Sequence, residues 1–146
     1  MKLLLHLLLT ISFFTTVAAQ DFNSGTIVLS VNGFNSNKGK LWLALYDNAK
    51  AFPSSQKEAI RTEQYEIKNN RVSIKLENIN YGIYAISVFH DENSNGKMDA
   101  NWIGIPQEGI GASNNAKGFM GPPKFEDAKF ELDSKQLDLK INLLDL

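Results

Sequence analysis

The sequence contains no cysteine and only two histidines, and these shortages exclude several kinds of chemistry. Without cysteine the chain can form neither a disulfide nor a thiolate metal site, so a hydrophobic core must stabilise the domain. The charge is nearly balanced as well, with 15 Lys and Arg against 16 Asp and Glu. A protein without a basic surface lacks the electrostatic attraction on which nucleic-acid binding depends. We therefore expect neither a redox protein nor a nucleic-acid-binding protein.

The N-terminal residues have the pattern of a secretory signal peptide. Lys2 supplies a positive charge, and the apolar run Leu3–Phe14 follows it. Val17-Ala18-Ala19 then places small residues at the positions that a signal peptidase reads. Because the run is shorter than the roughly 20 apolar residues of a membrane-spanning helix, we predict a signal peptide over 1–19 and not a membrane anchor. The mature chain, 20–146, would be one exported domain, either periplasmic or secreted.

Removal of the signal peptide would leave His90 as the only histidine. A zinc site with several histidines could then not form. Any catalytic arrangement with a histidine base would have to use His90, and we predict a structural role for this residue instead. Ser113 is a weak nucleophile candidate, because the residues around it lack the G-x-S-x-G elbow. The alternative hypothesis is a hydrolase that uses His90 together with Asp91 or Glu108.

Short alternating segments separated by turn residues predict an all-β fold. Leu41–Tyr46 is apolar on both faces, which is typical of a central strand. We predict a single seven-stranded antiparallel β-sandwich, immunoglobulin-like or transthyretin-like. Residues 133–135 are expected to join the last two strands as a hairpin, and residues 91–125 to form one long loop, a feature that is usually functional. The predicted strands are Thr26–Val31, Leu41–Tyr46, Ile60–Lys68, Val72–Leu76, Ile83–His90, Ala128–Leu132 and Leu137–Leu143.

The start of the long loop has the spacing of a calcium-binding loop. Residues 91–99 read Asp-Glu-Asn-Ser-Asn-Gly-Lys-Met-Asp, which follows the pattern D-x-[DN]-x-[DN]-G. Side-chain oxygens at the first, third and fifth positions converge on one point, and glycine at the sixth allows the sharp turn. The predicted Ca²⁺ ligands are Asp91, Asn93, Asn95, the backbone carbonyl of Lys97, and Asp99.

The pattern departs from an EF-hand at its closing position. Trp102 occupies the place of the bidentate Glu, and strands rather than helices flank the loop. Water or a later carboxylate, with Glu108 the nearest, would have to complete the coordination. Since only Asp91 and Asp99 are charged, we expect a weak affinity of about 10⁻⁴–10⁻³ M. The alternative is a metal-free loop in which Asp and Asn side chains bond to their own backbone.

The remainder of the long loop carries seven apolar residues with two possible roles. They could fold back to cover an open end of the sandwich, or they could form a recognition surface. In the second case, Trp102 and Phe119 would contact a sugar or a peptide. The seven residues are Trp102, Ile103, Ile105, Ile110, Phe119, Met120 and Phe125.

Three groups of loop residues closely resemble a family of exported bacterial proteins of unknown function. The groups are His90–Asp99, then Gly104–Gly111 with Ser113–Asn115, and finally Gly121–Pro123 with Phe125. This resemblance covers nearly the whole mature chain and implies an extracytoplasmic bacterial domain, with no activity to transfer. More loosely, Leu76–Ala85 resembles the strand-turn-strand of transthyretin-like and carboxypeptidase-regulatory domains, which implies a fold and not a function.

These observations together predict an exported β-sandwich that is not an enzyme. We expect a binding or structural module with a calcium-ordered loop, and a protein or a glycan as the partner. The hydrolase based on His90 stays as the alternative.

Overall fold

The computed structural model describes residues 23–144 and has eight strands with very little helix. The predicted signal peptide, 1–19, lies outside the described residues. The strands are β1 (Ser24–Asn32), β2 (Lys40–Tyr46), β3 (Arg61–Glu66), β4 (Arg71–Asn80), β5 (Gly82–Asp91), β6 (Ile110–Ala112), β7 (Phe130–Leu132) and β8 (Gln136–Asn142). The helical elements are two 3₁₀ turns, Gln56–Glu58 and Ser113–Asn115, and the short helix α1 (Phe125–Ala128). None of the helices in this described part is long and apolar enough to cross a membrane.

The strands form two sheets, and the all-β prediction is confirmed. The smaller sheet has the order β4-β1-β8, and the larger has the order β3-β2-β5-β6, with β7 also paired to β5. Strand β2 lies between β3 and β5, so the prediction of a central strand from its two apolar faces is confirmed.

One core lies between the two sheets. The burial of β1 alternates residue by residue, and its inward side chains Ile27 and Leu29 belong to the same cluster as Leu41 and Leu43 of β2. Each of these side chains is almost completely buried, which stabilises the domain by roughly 1.5–3 kcal/mol per residue. Period-two patterning on facing strands therefore builds the core.

A second apolar cluster covers the outer face of the larger sheet. Tyr46 of β2 contacts Phe52 edge-on, and Phe52 in turn contacts Phe125 at the start of α1. The Tyr46 hydroxyl donates a hydrogen bond of 2.8 Å to the carbonyl of Pro53. The segment between β2 and β3 and helix α1 thus shield this face from water, which explains why β2 is apolar on both sides.

Two predictions about the last strands are wrong. Strand β7 pairs with β5 in the larger sheet, whereas β8 runs parallel to β1 in the smaller one. Residues 133–135 therefore cross between sheets and form no hairpin, and the fold is not purely antiparallel. The crossing chain docks on Gly25, where an added Cβ would lie 2.3 Å from the Ser134 carbonyl oxygen. A bond of 3.0 Å from the Thr26 amide to the Lys135 carbonyl then directs β8 onto β1.

The prediction of one long loop over 91–125 is also wrong, because β6 interrupts it. This strand pairs with Ser87, Val88 and Phe89 of β5. It has only three residues with glycine in the middle, which is too short for an alternating apolar pattern to predict a strand. An added Cβ at Gly111 would lie 2.6 Å from a methyl group of Ile141, so the small residue is what allows β6 to pack here.

Gly39→Ala is expected to destabilise the domain more than Gly104→Ala. Both glycines have a positive φ, 68° and 83° respectively, so alanine would be strained at either position by about 1–2 kcal/mol. A Cβ at residue 39 would in addition lie 1.9 Å from the Asp91 carbonyl oxygen, whereas one at residue 104 meets no atom within 4 Å. Urea denaturation measures both losses. Equal losses would contradict the close approach of residues 39 and 91.

Candidate metal-binding loop

The last two residues of β5 serve opposite faces of the larger sheet, because side chains alternate along a strand. His90 is 4% exposed and lies edge-on against Phe34, with ring centroids 5.2 Å apart. Its Nε2 donates a hydrogen bond of 2.8 Å to the Lys38 carbonyl oxygen. Asp91 instead contacts Trp42, which stacks on Phe89 on the other face. The two neighbours in sequence are therefore not a hydrogen-bonded pair in the structure.

Asp91 is 2% exposed, and its carboxylate accepts three N–H groups. Its Oδ1 accepts the backbone amide of Asn95 at 3.0 Å, and its Oδ2 accepts the backbone amide of Gly96 at 2.8 Å. The third donor is Nε1 of Trp42 on β2, at 3.1 Å from Oδ2. These bonds compensate the burial of the charge and hold the loop against the sheet.

The Asp99 carboxylate lies among the predicted asparagine ligands. Nδ2 of Asn93 donates to Oδ2 of Asp99 at 2.6 Å, and Nδ2 of Asn95 donates to both oxygens at 2.9 and 3.1 Å. The structure therefore brings Asn93, Asn95 and Asp99 together. It also brings Asp91 to Asn95 through the backbone amide of Asn95.

Local hydrogen bonds shape the turn itself. Oδ1 of Asn93 accepts the amide of Asn95 at 3.0 Å, and Oδ1 of Asn95 accepts the amide of Lys97 at 2.8 Å. Gly96 has a φ of 77°, which a residue with a side chain rarely adopts. These are the side-chain-to-backbone bonds that the metal-free alternative predicts. Lys97 contributes its backbone amide to the turn, whereas the predicted ligand is its backbone carbonyl.

Glu108 closes the loop from its far end. Its Oε1 accepts the Glu92 amide at 3.1 Å, and its Oε2 accepts the Asp99 amide at 3.0 Å. Glu108, the nearest later carboxylate in the sequence, therefore contacts the loop through two backbone amides. Ser36 adds a bond of 2.6 Å from its hydroxyl to the Glu92 carboxylate, which ties the loop to the segment before β2.

The donor set suits a hard cation better than a transition metal. Within residues 23–144 no three His, Cys, Asp or Glu side chains form a group that could hold a metal ion. A cation would therefore depend on two carboxylates, Asp91 and Asp99, together with neutral amide and carbonyl oxygens. Calcium accepts such ligands, whereas zinc prefers nitrogen and sulfur.

Two contacts of the loop were not evident from the sequence. The Trp42 donor requires the register in which Trp42 lies opposite Phe89, two residues before Asp91. The Ser36 contact bridges residues that are 56 positions apart. No local spacing signals either contact.

Ser113 lies away from His90 and is fully buried. Its hydroxyl donates to the Ala128 carbonyl at 2.6 Å and accepts the Ile86 amide at 2.9 Å. The residue therefore links α1, β5 and the second 3₁₀ turn.

The seven apolar residues of the segment divide into two groups. Ile110 in β6 and Phe125 in α1 are half-buried and cover the fold. The other five are exposed, with Trp102 94%, Phe119 93% and Met120 94% exposed. Asn101 holds the tip around Trp102, because its Oδ1 accepts the amides of Ile103 and Ile105. The five are Trp102, Ile103, Ile105, Phe119 and Met120.

The fold defines an all-β protein of two packed sheets with an acidic loop at the end of a central strand. A family model described as an uncharacterized protein conserved in bacteria (DUF2141) matches residues 29–140. The chain belongs to this bacterial family, which confirms the expectation of a bacterial family of unknown function. No curated protein and no solved structure gives a significant match.

Asp91→Ala is expected to lower the free energy of unfolding by about 3 kcal/mol, since it leaves three N–H donors without their acceptor. Trp42→Phe removes one donor and keeps the ring stacked on Phe89, so its expected loss is smaller, about 1–2 kcal/mol. Asp133→Ala, at an exposed residue between β7 and β8, is the matched control and should change stability by less than about 0.5 kcal/mol. Chemical denaturation in calcium-free buffer measures all three. A loss for Asp91→Ala no larger than the control would refute the anchoring role.

Proposed function

We propose that the protein is an exported, non-enzymatic binding or structural module whose 91–99 loop is ordered by Ca²⁺. The observation that carries the proposal is the arrangement of Asp91. This buried carboxylate fixes the start of a loop in which Asn93, Asn95 and Asp99 already contact one another. The loop thus has little conformational freedom left to lose on binding, which lowers the entropic cost of taking up a cation.

The chemistry of the contacts supports calcium. Asp99 receives three amide hydrogen bonds from Asn93 and Asn95, so a cation competes with these amides for its carboxylate. Oδ1 of Asn93 and Oδ1 of Asn95 each accept one backbone amide and keep a second lone pair for the ion. Glu108 holds the far end of the same loop through the amides of Glu92 and Asp99, and so helps to position Asp99 for the ion.

The surroundings of the possible catalytic groups support a non-enzymatic role. Nε2 of His90 is occupied by a backbone carbonyl, and the His90 ring packs on Phe34. The Ser113 hydroxyl is occupied by backbone groups of Ile86 and Ala128. Each residue is nine-tenths or more buried. Both side chains thus have packing and hydrogen-bond roles that account for them without catalysis.

The exposed tip of the loop supports a binding role. Trp102 and Ile103 lie on a turn that Asn101 shapes by hydrogen bonds, beyond the bridge between Ala100 and Pro106. An aromatic side chain has few rotatable bonds, so it loses little entropy on binding and is favoured at sites for proteins and glycans. Calcium would act on this tip indirectly, by fixing the loop that carries it.

Millimolar Ca²⁺ is expected to raise the Tm of the protein. At ten times a dissociation constant of about 10⁻³ M, binding to the folded state contributes about 1.4 kcal/mol. That contribution corresponds to an increase of several degrees for a domain of this size, roughly 4–8 °C. Differential scanning calorimetry measures the shift, and isothermal titration calorimetry measures the affinity. The absence of a shift at millimolar Ca²⁺ would refute the metal claim.

Variants of the loop test which residues hold the ion. Asp91→Ala should abolish the calcium-dependent shift, but it also destabilises the fold. Asp99→Asn and Glu108→Gln retain their shape and are expected to weaken Ca²⁺ binding about tenfold or more with smaller losses of stability. Glu126→Gln, an exposed acid outside the loop, is the control. A calcium response equal to that of the wild type in Asp99→Asn would exclude Asp99 as a ligand.

A further inference from the structure

The segment Ala116–Lys124, between the second 3₁₀ turn and α1, presents two large apolar side chains to solvent. Phe119 and Met120 are 93% and 94% exposed. Neither residue belongs to the core clusters of the described chain. Large apolar side chains kept in water at a shared tip usually mark an interaction site.

The tip has a defined backbone shape. Gly118 approaches Gly121 so closely that a Cβ at Gly118 would lie 1.7 Å from the Gly121 carbonyl oxygen. Met120 has a φ of 55°, a conformation that is unfavourable for a residue with a side chain. Pro122 and Pro123 follow and restrict the chain further. The backbone therefore closes into a tight turn with Phe119 and Met120 at its end.

The charged residues inside the segment 116–124 are both positive, while Glu126 and Asp127 follow in α1, where Glu126 pairs with Lys129. Between Glu108 and Glu126 the only charged residues are Lys117 and Lys124. One precedes the turn and the other follows it, and both are exposed. The segment thus combines an apolar tip with a positive rim, which complements a surface that is apolar inside and negatively charged outside.

We propose that the turn formed by 116–124 inserts Phe119 and Met120 into the interface of a membrane rich in anionic lipid, with Lys117 and Lys124 on the headgroups. The size of the tip favours lipid over a protein partner. One aromatic side chain buries about 150–250 Å², so two side chains fall short of the roughly 800 Å² per partner of a stable protein interface. Shallow insertion requires only a few apolar side chains and adjacent lysines.

This proposal is independent of calcium binding. Residues 116–124 supply none of the proposed ligands, and β6 separates them from the 91–99 loop. Binding to lipid should accordingly be the same in calcium and in chelator. A calcium-dependent difference would indicate that the loop at 91–99 contributes to the membrane contact, and would overturn the assignment to the turn alone.

Vesicle co-sedimentation tests the proposal, with the protein purified in the form that cells export. Vesicles of phosphatidylcholine with phosphatidylglycerol should bind the protein, and phosphatidylcholine vesicles should bind it much less. Phe119→Ser combined with Met120→Ser is expected to weaken binding about tenfold or more. Ile60→Ser, at another exposed apolar residue, is the matched control and should bind as the wild type does.

Charge variants test the headgroup contact separately. Lys117→Ala and Lys124→Ala should each weaken binding about fivefold, and added salt should reduce the effect. Lys57→Ala and Lys135→Ala, two exposed lysines elsewhere, are the controls. Because all these side chains are exposed, the variants should fold, and their Tm values verify this. Failure of the wild type to bind anionic vesicles, as expected if the turn contacts a protein, would overturn the proposal, as would equal binding by the serine variant.

Discussion

The buried carboxylate of Asp91 is the contact that connects the sheet to the loop. It terminates β5, receives the indole N–H of Trp42 from the neighbouring strand, and receives two backbone amides from the turn that follows. A charge at this depth requires such donors, because leaving it without partners would cost several kcal/mol. The bonds that satisfy the charge also give the loop its shape, so the strand pairing and the loop conformation depend on each other.

His90 and Asp91, at the end of β5, lie on opposite faces of the larger sheet and have different roles. His90 lies on the core side with Phe34 and the Lys38 carbonyl, and Asp91 lies with Trp42 and Phe89. The segment 33–39 packs against both, and Gly39 has no side chain where the Asp91 carbonyl approaches. A histidine next to an aspartate in the sequence can suggest a catalytic pair. In a strand, however, neighbouring side chains point to opposite faces of the sheet, so the two side chains lie apart.

The exposed apolar residues of the segment 101–125 belong to two separate places in the chain. Trp102 and Ile103 lie at the tip of the loop that Asn101 shapes, while Phe119 and Met120 lie on the turn closed by Gly118 and Gly121. In the sequence, Ile110 and Phe125 are not distinguishable from these exposed residues, but in the structure both are half-buried and cover the fold. Hydrophobicity alone does not distinguish them, because burial depends on which element a residue meets after the chain has folded.

The sequence by itself determined the all-β class, the central position of β2 and the residues of the acidic loop, because these depend on periodicity and spacing over a few residues. The tertiary structure alone decided the parallel pairing of β8 with β1, the crossing of residues 133–135 between sheets, and the strand β6. These features depend on close approaches at Gly25 and Gly111 and on partners far along the chain. Local patterns do not encode such contacts, since their energy comes from surfaces that meet only in the folded protein.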